Sequence, residues 1–379
     1  MGQIELIATS TFGLESVVKR EVLKLGYEDI KVENGKVNFK ADEKAIPKSN
    51  IWLRTADRVL LKMGEFKATT FEELFEKTKD LPWEDWITED GEFTVVGKAV
   101  DSKLMSVPDC QAIVKKAVVE KLRTKYNVDW FKETGAKFTI QVSILKDIAT
   151  LTIDTSGEGL HKRGYRLDSV EAPIKETLAA ALVQLSFWNH ERILIDPFCG
   201  SGTIPIEAAM IGKNIAPGIQ RNFASENWPR VKEEYWKEER ISARKAILQD
   251  RELNIVATDI DENAIEIAKE NAFEIGVDDC IEFNTKDVLD LNIKEEEYGV
   301  IISNPPYGER IGEKKEIEKL YREMGKKFNK LDTWSIYILT SNTEFEKLYG
   351  KKASRRRKLY NGRIRVDYYQ YYGPRPLKK

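Results

Sequence analysis

Apolar and polar residues alternate through "QIELIATS" (3–10), the two-residue period of a half-buried strand. The period then lengthens. Leu14, Val17, Val18, Val22 and Leu25 recur at helical spacing up to Gly26, where a helix can stop. "IKVENGKVNFKA" places Asn34-Gly35 between alternating residues, a strong hairpin signal. "EFTVVGKAV", the helical "VPDCQAIVKKAVVEKLRTKY" and "KFTIQVSILKDIATLTIDTS" predict a strand, a helix and a second hairpin. Residues 1–155 therefore read as an α+β region whose sheet faces are covered by helices.

The rhythm breaks at "SGEGLHKRGYR" (156–166), which is Gly-rich, basic and aperiodic, so a linker is expected over 156–170. From 171 to 379 apolar strands alternate with amphipathic helices: "ERILIDPF", "GTIPIEAAMIG", "NIVATDID", "ENAIEIAKENAFEIG", "CIEFNTKDV", "YGVIISNPP", "EKKEIEKLYREMGKKF" and "TWSIYILTS". That order predicts an α/β unit with a mostly parallel sheet and helices on both faces. Asn361-Gly362, between alternating segments near the end, predicts an antiparallel hairpin added to that sheet.

Composition narrows the chemistry. Apolar residues make up 41% and charged residues 33% of the 379, enough apolar material to fill real cores. No apolar run reaches membrane-span length and "MGQIELIATS" lacks a signal peptide's layout, so a soluble cytoplasmic protein is expected. Leu6 stands where a myristoylation motif needs Ser or Thr. Cys110, Cys199 and Cys280 lie too far apart for a disulfide framework or a CxxC metal site, and no metal is expected. His161 and His190 are the only histidines, and neither has nucleophile or ligand spacing. His190 reads as a packing or capping residue. The net charge of −2 excludes a uniformly basic coat, yet residues 351–379 hold eleven Lys or Arg against one acid, Asp367.

In "LIDPFCGSGTIPIEAA" an apolar strand ends at Asp196, and a turn containing Gly200 and Gly202 leads into a helix. Ligands of doubly wound sheets bind outside the carboxyl ends of the strands. Glycines let a ligand approach the backbone, but the third glycine of GxGxxG is missing. An acid before the turn repels a pyrophosphate and favours a cation, which argues for a sulfonium cofactor over a dinucleotide. The next strand ends in "TDID", where Asp259 is placed to accept from ribose hydroxyls; the next ends in "KDV", where Asp287 can accept from an adenine amino group. Any one of these is equally a helix cap. Three at successive strand ends are harder to explain that way. The long gap before Asp259 is filled by an insert at 218–247 whose Phe223 and Trp228 can line a pocket or simply pack.

"SNPPYGER" (303–310) ends the fourth strand. Pro305 and Pro306 fix φ and donate nothing, while their carbonyls remain good acceptors. With the Asn304 amide and the flat ring of Tyr307, they form a stiff row of acceptors suited to a planar group bearing NH₂, such as a nucleobase. Cys199 reads as a small packing residue, because transfer to such an amine needs no covalent thiol step.

These residues resemble the class I S-adenosylmethionine-dependent methyltransferases over about 160–379. "DPFCGSGT" stands as the first motif, "TDID" as the ribose acid, "KDV" as the adenine contact and "NPPYGER" as the catalytic motif. "SGEGLHKRGYR", "EAPIKETLAAAL" and "KLYNGRIRVDYYQY" narrow the likeness to THUMP-domain methyltransferases of the RlmL/YpsC type. The resemblance implies a Rossmann-like methyltransferase domain at 171–379 preceded by ferredoxin-like and THUMP RNA-binding regions at 1–155. It implies S-adenosyl-L-methionine held by Asp196, Pro197, Gly200, Ser201, Gly202, Thr203, Asp259, Ile260, Asp287 and Val288. Transfer would fall to Asn304, Pro305, Pro306 and Tyr307. The implied activity is guanine-N2 methylation of large-subunit (23S) ribosomal RNA, with Lys162, Arg163, Arg166 and Arg310, or "SRRRK" (354–358), on its phosphates. A tRNA guanine-N2 enzyme, a DNA adenine-N6 or cytosine-N4 enzyme and a non-catalytic RNA-binding assembly factor are the alternatives. Some members of the family carry a second methyltransferase domain, which these 379 residues do not contain.

Overall fold

The computed structural model describes residues 2–166, 173–295, 298–307 and 314–376. In chain order the first elements are β1 (Ile4–Thr9), α1 (Glu15–Lys24), β2 (Ile30–Glu33), β3 (Lys36–Ala41), α2 (Ala45–Trp52) and β4 (Arg58–Lys67). Then come α3 (Phe71–Lys79), β5 (Glu92–Val100), α4 (Val107–Tyr126), β6 (Lys137–Leu145) and β7 (Ile148–Asp154). Next follow α5 (Glu176–Leu185), β8 (Leu194–Asp196), α6 (Thr203–Gly212), α7 (Glu233–Lys245), β9 (Ile255–Asp259), α8 (Glu262–Ile275) and β10 (Ile281–Thr285). The last are β11 (Val300–Ser303), α9 (Lys314–Phe328), β12 (Ser335–Thr340), α10 (Phe345–Tyr349), β13 (Arg355–Asn361) and β14 (Ile364–Tyr371).

Two compact units result. The first takes the chain up to Ser10, then Val18–Leu160 and Arg221–Ser242. Its seven-stranded sheet runs β2-β3-β1-β4-β7-β6-β5, antiparallel except for the β5/β6 pair. The Asn34-Gly35 turn joins β2 and β3 as expected. Local chemistry marks the helix ends. Thr70 caps α3 by accepting from the Glu73 N–H at 3.2 Å, and Asn127 ends α4 in the left-handed region.

The segment 221–242 packs in this first unit, which corrects the expectation that 171–379 forms one unit. Aromatic burial drives it there. Trp228 is 1% exposed, stacks on Phe138 with ring centroids 4.9 Å apart, and donates from Nε1 to the Lys137 carbonyl at 3.1 Å. Phe223 stacks on Trp236 at 5.3 Å. Of the two readings of these aromatics, packing is the one the structure shows.

The second unit takes Thr11–Val17, His161–Gln220 and the chain from Ala243 onward. Its sheet runs β10-β9-β8-β11-β12-β14-β13. The strands from β10 to β12 are parallel; β14 is antiparallel to both β12 and β13. The two-residue period decides the faces. In β11, Val300 and Ile302 join the core with α5, α6 and α8, whereas Ile301 joins the core with α9 and α10. The order reverses at β8, with β9 on one side and β11 on the other. A crevice opens at such a reversal.

Candidate active site

A cavity of about 600 Å³ lies at the carboxyl ends of β8, β9 and β11, within the second unit. The β8 strand delivers Asp196 to it, 1% exposed. Oδ1 of Asp196 accepts from the Phe198 N–H at 3.2 Å, but Oδ2 has no hydrogen-bond partner. Burial pushes this carboxyl up to about 8; the nearby Asp259 carboxylate adds to the effect and the Phe198 amide offsets only part of it. Ser303 Oγ eases the charge from close by without making a hydrogen bond of ordinary geometry. A buried oxygen without a donor is costly, and a cation brought into the cavity would relieve it.

The following turn needs its glycines. Gly200 has φ +51 and Gly202 φ +82, where side chains are strained, and a Cβ on Gly202 would meet the Ala268 side chain at 3.0 Å. The Gly200 N–H donates to Asp259 Oδ2 at 2.9 Å, and Asn271 holds the Ser201 carbonyl at 3.1 Å. Asp259 Oδ1 accepts from the Asp261 N–H at 3.1 Å. Asp287 Oδ1 accepts from the Leu289 N–H at 2.7 Å, so this acid does cap a short turn while also lining the cavity. Pro197, Thr203, Ile260 and Val288 line the cavity as well; Ile260 remains 72% exposed, an apolar surface open to a flat ring. Cys199 lines it too, its thiol pushed well above the ordinary value by burial and held neutral.

Asn304, Pro305, Pro306 and Tyr307 line the same cavity. The Tyr307 hydroxyl donates to Asn304 Oδ1, so the amide oxygen already faces a donor. The Pro306 carbonyl accepts from the Tyr321 hydroxyl at 2.8 Å, which also pairs with Thr340 Oγ1 at 2.9 Å. Tyr321 is fully buried on α9, and no sequence signal marked it. Lys286, beside Asp287 in "KDV", and Asn361 and Ile364 of the β13–β14 hairpin also line the cavity unannounced.

Two expected phosphate ligands are corrected. Arg163 is 2% exposed and pairs through Nε with Glu207 at 3.1 Å, inside the unit. Arg166 donates to the Ile174 carbonyl at 2.9 Å and Thr203 Oγ1 at 2.8 Å and pairs with Glu176 at 3.3 Å. Both cations are spent on internal acceptors, because an unpaired buried guanidinium would be expensive. Lys162 is exposed. Arg310 lies outside the described residues. His190 is exposed, and Asn189 supplies the local cap by accepting from the Glu191 N–H at 2.9 Å. Among the described residues no acid, His or Cys group could hold a metal, and no helix is long and apolar enough to cross a membrane.

Family models match a RlmL ferredoxin-like domain over residues 5–60, a THUMP domain over 68–154 and a RMKL-like methyltransferase domain over 163–370. The chain is 55% identical to a protein of Bacillus subtilis (strain 168) that carries the name of an RNA methyltransferase, YpsC, covering 100% of this chain and 99% of that one. It is 35% identical to the ribosomal RNA large subunit methyltransferase K/L of Psychromonas ingrahamii over 93% of its length, and spans 48% of that protein. Among solved structures, a Listeria monocytogenes protein described as a predicted N6-adenine-specific DNA methylase matches at 55% identity and TM-score 0.94, covering 99% and 97% of the two chains. SMU.472, described as a methyltransferase complexed with SAH, matches over 100% of both chains at 46% identity and TM-score 0.93. TrmN from Thermus thermophilus, at 19% identity and TM-score 0.69, shares the fold. With every part of the chain matched in this order and the Asp196–Thr203 turn and Asn304–Tyr307 row in one cavity, the chain belongs to the RlmL-like family of THUMP-bearing, S-adenosylmethionine-dependent methyltransferases.

Proposed function

We propose that this protein methylates an exocyclic amine of an RNA base, guanine N2 of large-subunit ribosomal RNA. The observation that carries the reading is the cavity itself, which joins a buried, partnerless carboxylate oxygen to a rigid row of amide and carbonyl acceptors. S-adenosylmethionine supplies the electrophilic methyl group. The residues fit it: Asp196 Oδ2 suits its cationic end, the Gly200–Gly202 turn leaves room against the backbone, and Asp259 and Asp287 offer acceptors for ribose hydroxyls and an adenine amine. Ile260 and Val288 offer apolar cover for the adenine ring.

An aromatic NH₂ is a poor nucleophile, since its lone pair is delocalised into the ring. Asn304 Oδ1 and the Pro305 carbonyl accept its two hydrogens and so turn the lone pair out of the ring plane. The Tyr307 hydroxyl now on Asn304 Oδ1 must give way to that amine, which leaves the phenol ring to stack on the base. Stacking of this kind contributes about 1–3 kcal/mol per base. The Tyr321 bond to the Pro306 carbonyl keeps the row still, and in-line positioning does the remaining work. The alkylated amine is acidic enough to lose its proton to water. The base must reach the cavity from a single strand or by flipping out of a duplex.

RNA rather than DNA is favoured by the THUMP region and by the names of the relatives; the name of the Listeria structure favours DNA adenine. One experiment separates them. Labelled S-adenosylmethionine is offered with deproteinised large-subunit rRNA, bulk tRNA and DNA, and the digests are read by mass spectrometry. N2-methylguanosine in rRNA alone is the expected result. Methyladenine in DNA would keep the site and overturn the substrate.

A further inference from the structure

The hairpin of β13 and β14, whose first strand holds most of the basic run at 354–358, brings a second feature to the cavity. Its turn partners Asn361 and Ile364 line the wall, and Lys358, Arg363 and Arg365 lie within three positions of that pair. Residues 355–371 carry Arg355, Arg356, Arg357, Lys358, Arg363 and Arg365 against one acid, Asp367, in a chain whose net charge is −2. Asp367 is committed to Arg356 at 2.6 Å and has Arg365 at 3.8 Å. Cross-strand register puts Tyr360 opposite Arg365 and Lys358 opposite Asp367 on one face, with Arg363 in the turn between them. Lys358 Nζ sits 5.5 Å from the centre of the Tyr360 ring. Lys358, Arg363 and Arg365 are exposed.

β13 is an edge strand, and charge on an edge discourages pairing with other chains. Edge protection, however, does not require the charges to lie beside a cavity. Here the three cations nearest the turn lie within three positions of the residues that line the cavity. We propose that this hairpin is the phosphate clamp for the substrate strand: Lys358, Arg363 and Arg365 hold the backbone on either side of the base inserted beside Asn304, and Tyr360 offers a face for a neighbouring base. The proposal rests on the reading that the cavity takes a base from RNA. It moves the phosphate contacts from Arg163 and Arg166, which are internal, to the rim.

The magnitude follows from counterion release. Each single-strand phosphate contact contributes about −0.7 to the slope of log K against log salt. Removing three contacts lowers the slope by about 2 and weakens binding about 50-fold at ~0.15 M salt, fading toward none near ~1 M. The test uses the full chain with Lys358→Gln, Arg363→Gln and Arg365→Gln combined. Anisotropy is measured across a salt series with a single-stranded fragment of large-subunit rRNA and with DNA of equal length. Binding of S-adenosylhomocysteine checks that the fold and the cofactor site are intact. An equal loss of charge on α9 (Lys315, Lys319 and Lys326 to Gln) controls for the general field.

A slope loss confined to the hairpin variant, with a raised KM for RNA and unchanged S-adenosylhomocysteine affinity, is expected. Equal losses in both variants, an unchanged slope, or a wild type that binds neither strand would overturn the clamp. The two readings separate cleanly. Methylated rRNA with an unchanged slope sinks the clamp alone, whereas slope loss on DNA with no RNA product sinks the RNA substrate alone.

Discussion

Replacing Asp196 with Asn should stabilise the protein while disabling its cofactor site. The folded state holds the Asp196 proton up to about pH 8, whereas an ordinary aspartate releases it near 3.8. A raised acid contributes its full stability below 3.8 and loses it as pH climbs toward 8. At pH 7 the loss spans roughly three pH units at about 1.4 kcal/mol each, or about 4 kcal/mol. Asn has no such loss but leaves buried amide hydrogen-bonding capacity unmet, which costs about 1–3 kcal/mol. The net gain at pH 7 is therefore about 1–3 kcal/mol, equivalent to about 3–10 °C in Tm for a unit of this size. At pH 5 the Asp loss shrinks to about 2 kcal/mol, within the cost of the buried amide, and the advantage vanishes.

The assay is a set of thermal melts from pH 5 to 9, with and without S-adenosylmethionine, whose sulfonium carries the charge at issue. Without it, the variant's advantage should grow with pH and level off above about 8. With it, the wild type should gain stability through binding that the variant largely lacks. Wild-type affinity should also rise with pH, by at most about tenfold per unit below 8, because a cationic ligand takes the ionised carboxylate. A Tm difference flat in pH, or a variant that melts lower at pH 8, would show that Asp196 is not a strained, partnerless acid.

Asn304→Ala should lower kcat by about 100-fold or more, the scale of losing one pre-organised hydrogen-bonding group, while S-adenosylhomocysteine affinity stays unchanged. Full turnover would end the assignment of the acceptor row. Tyr321→Phe removes the hydroxyl that steadies the Pro306 carbonyl, worth about 1 kcal/mol, so kcat should fall about fivefold with cofactor KM untouched. A change in cofactor KM instead would make Tyr321 a residue of the cofactor wall. Trp228→Ala should cost the first unit about 3–5 kcal/mol, visible as an earlier calorimetric transition. An unshifted transition would mean that the insert adds nothing to that core.

Much of the second unit was readable because its information is local. Strand and helix periods identified β8, β9, β10 and β11 and their order of use, and the acids at 196, 259 and 287 follow from reading each strand to its end. Basic residues were less readable. "HKRGYR" looks like a solvated strip until Glu207, 44 positions from Arg163, closes over it. Tyr321 was not legible because its partner carbonyl lies 15 positions earlier, before α9 begins. The insert at 221–242 carried aromatics that either destination would accept, and Phe138 and the Lys137 carbonyl decide where Trp228 goes.

By itself, then, the sequence determined the alternation of elements, the three hairpins, the glycine turn after Asp196, the Asn-Pro-Pro-Tyr row and the family to which they belong. Those features depend on residues within one or two turns of each other, where periods of 2 and 3.6 and the freedom of glycine and proline govern. The tertiary structure decided which charges are buried, which are paired and which border the cavity: Asp196 Oδ2 left without a donor, Arg163 and Arg166 drawn inside, the insert carried to the first unit, and Asn361 and Ile364 of the last hairpin brought to the cavity. Desolvation and ion pairing depend on which distant segments close over a group, and that is fixed only when the whole sheet assembles.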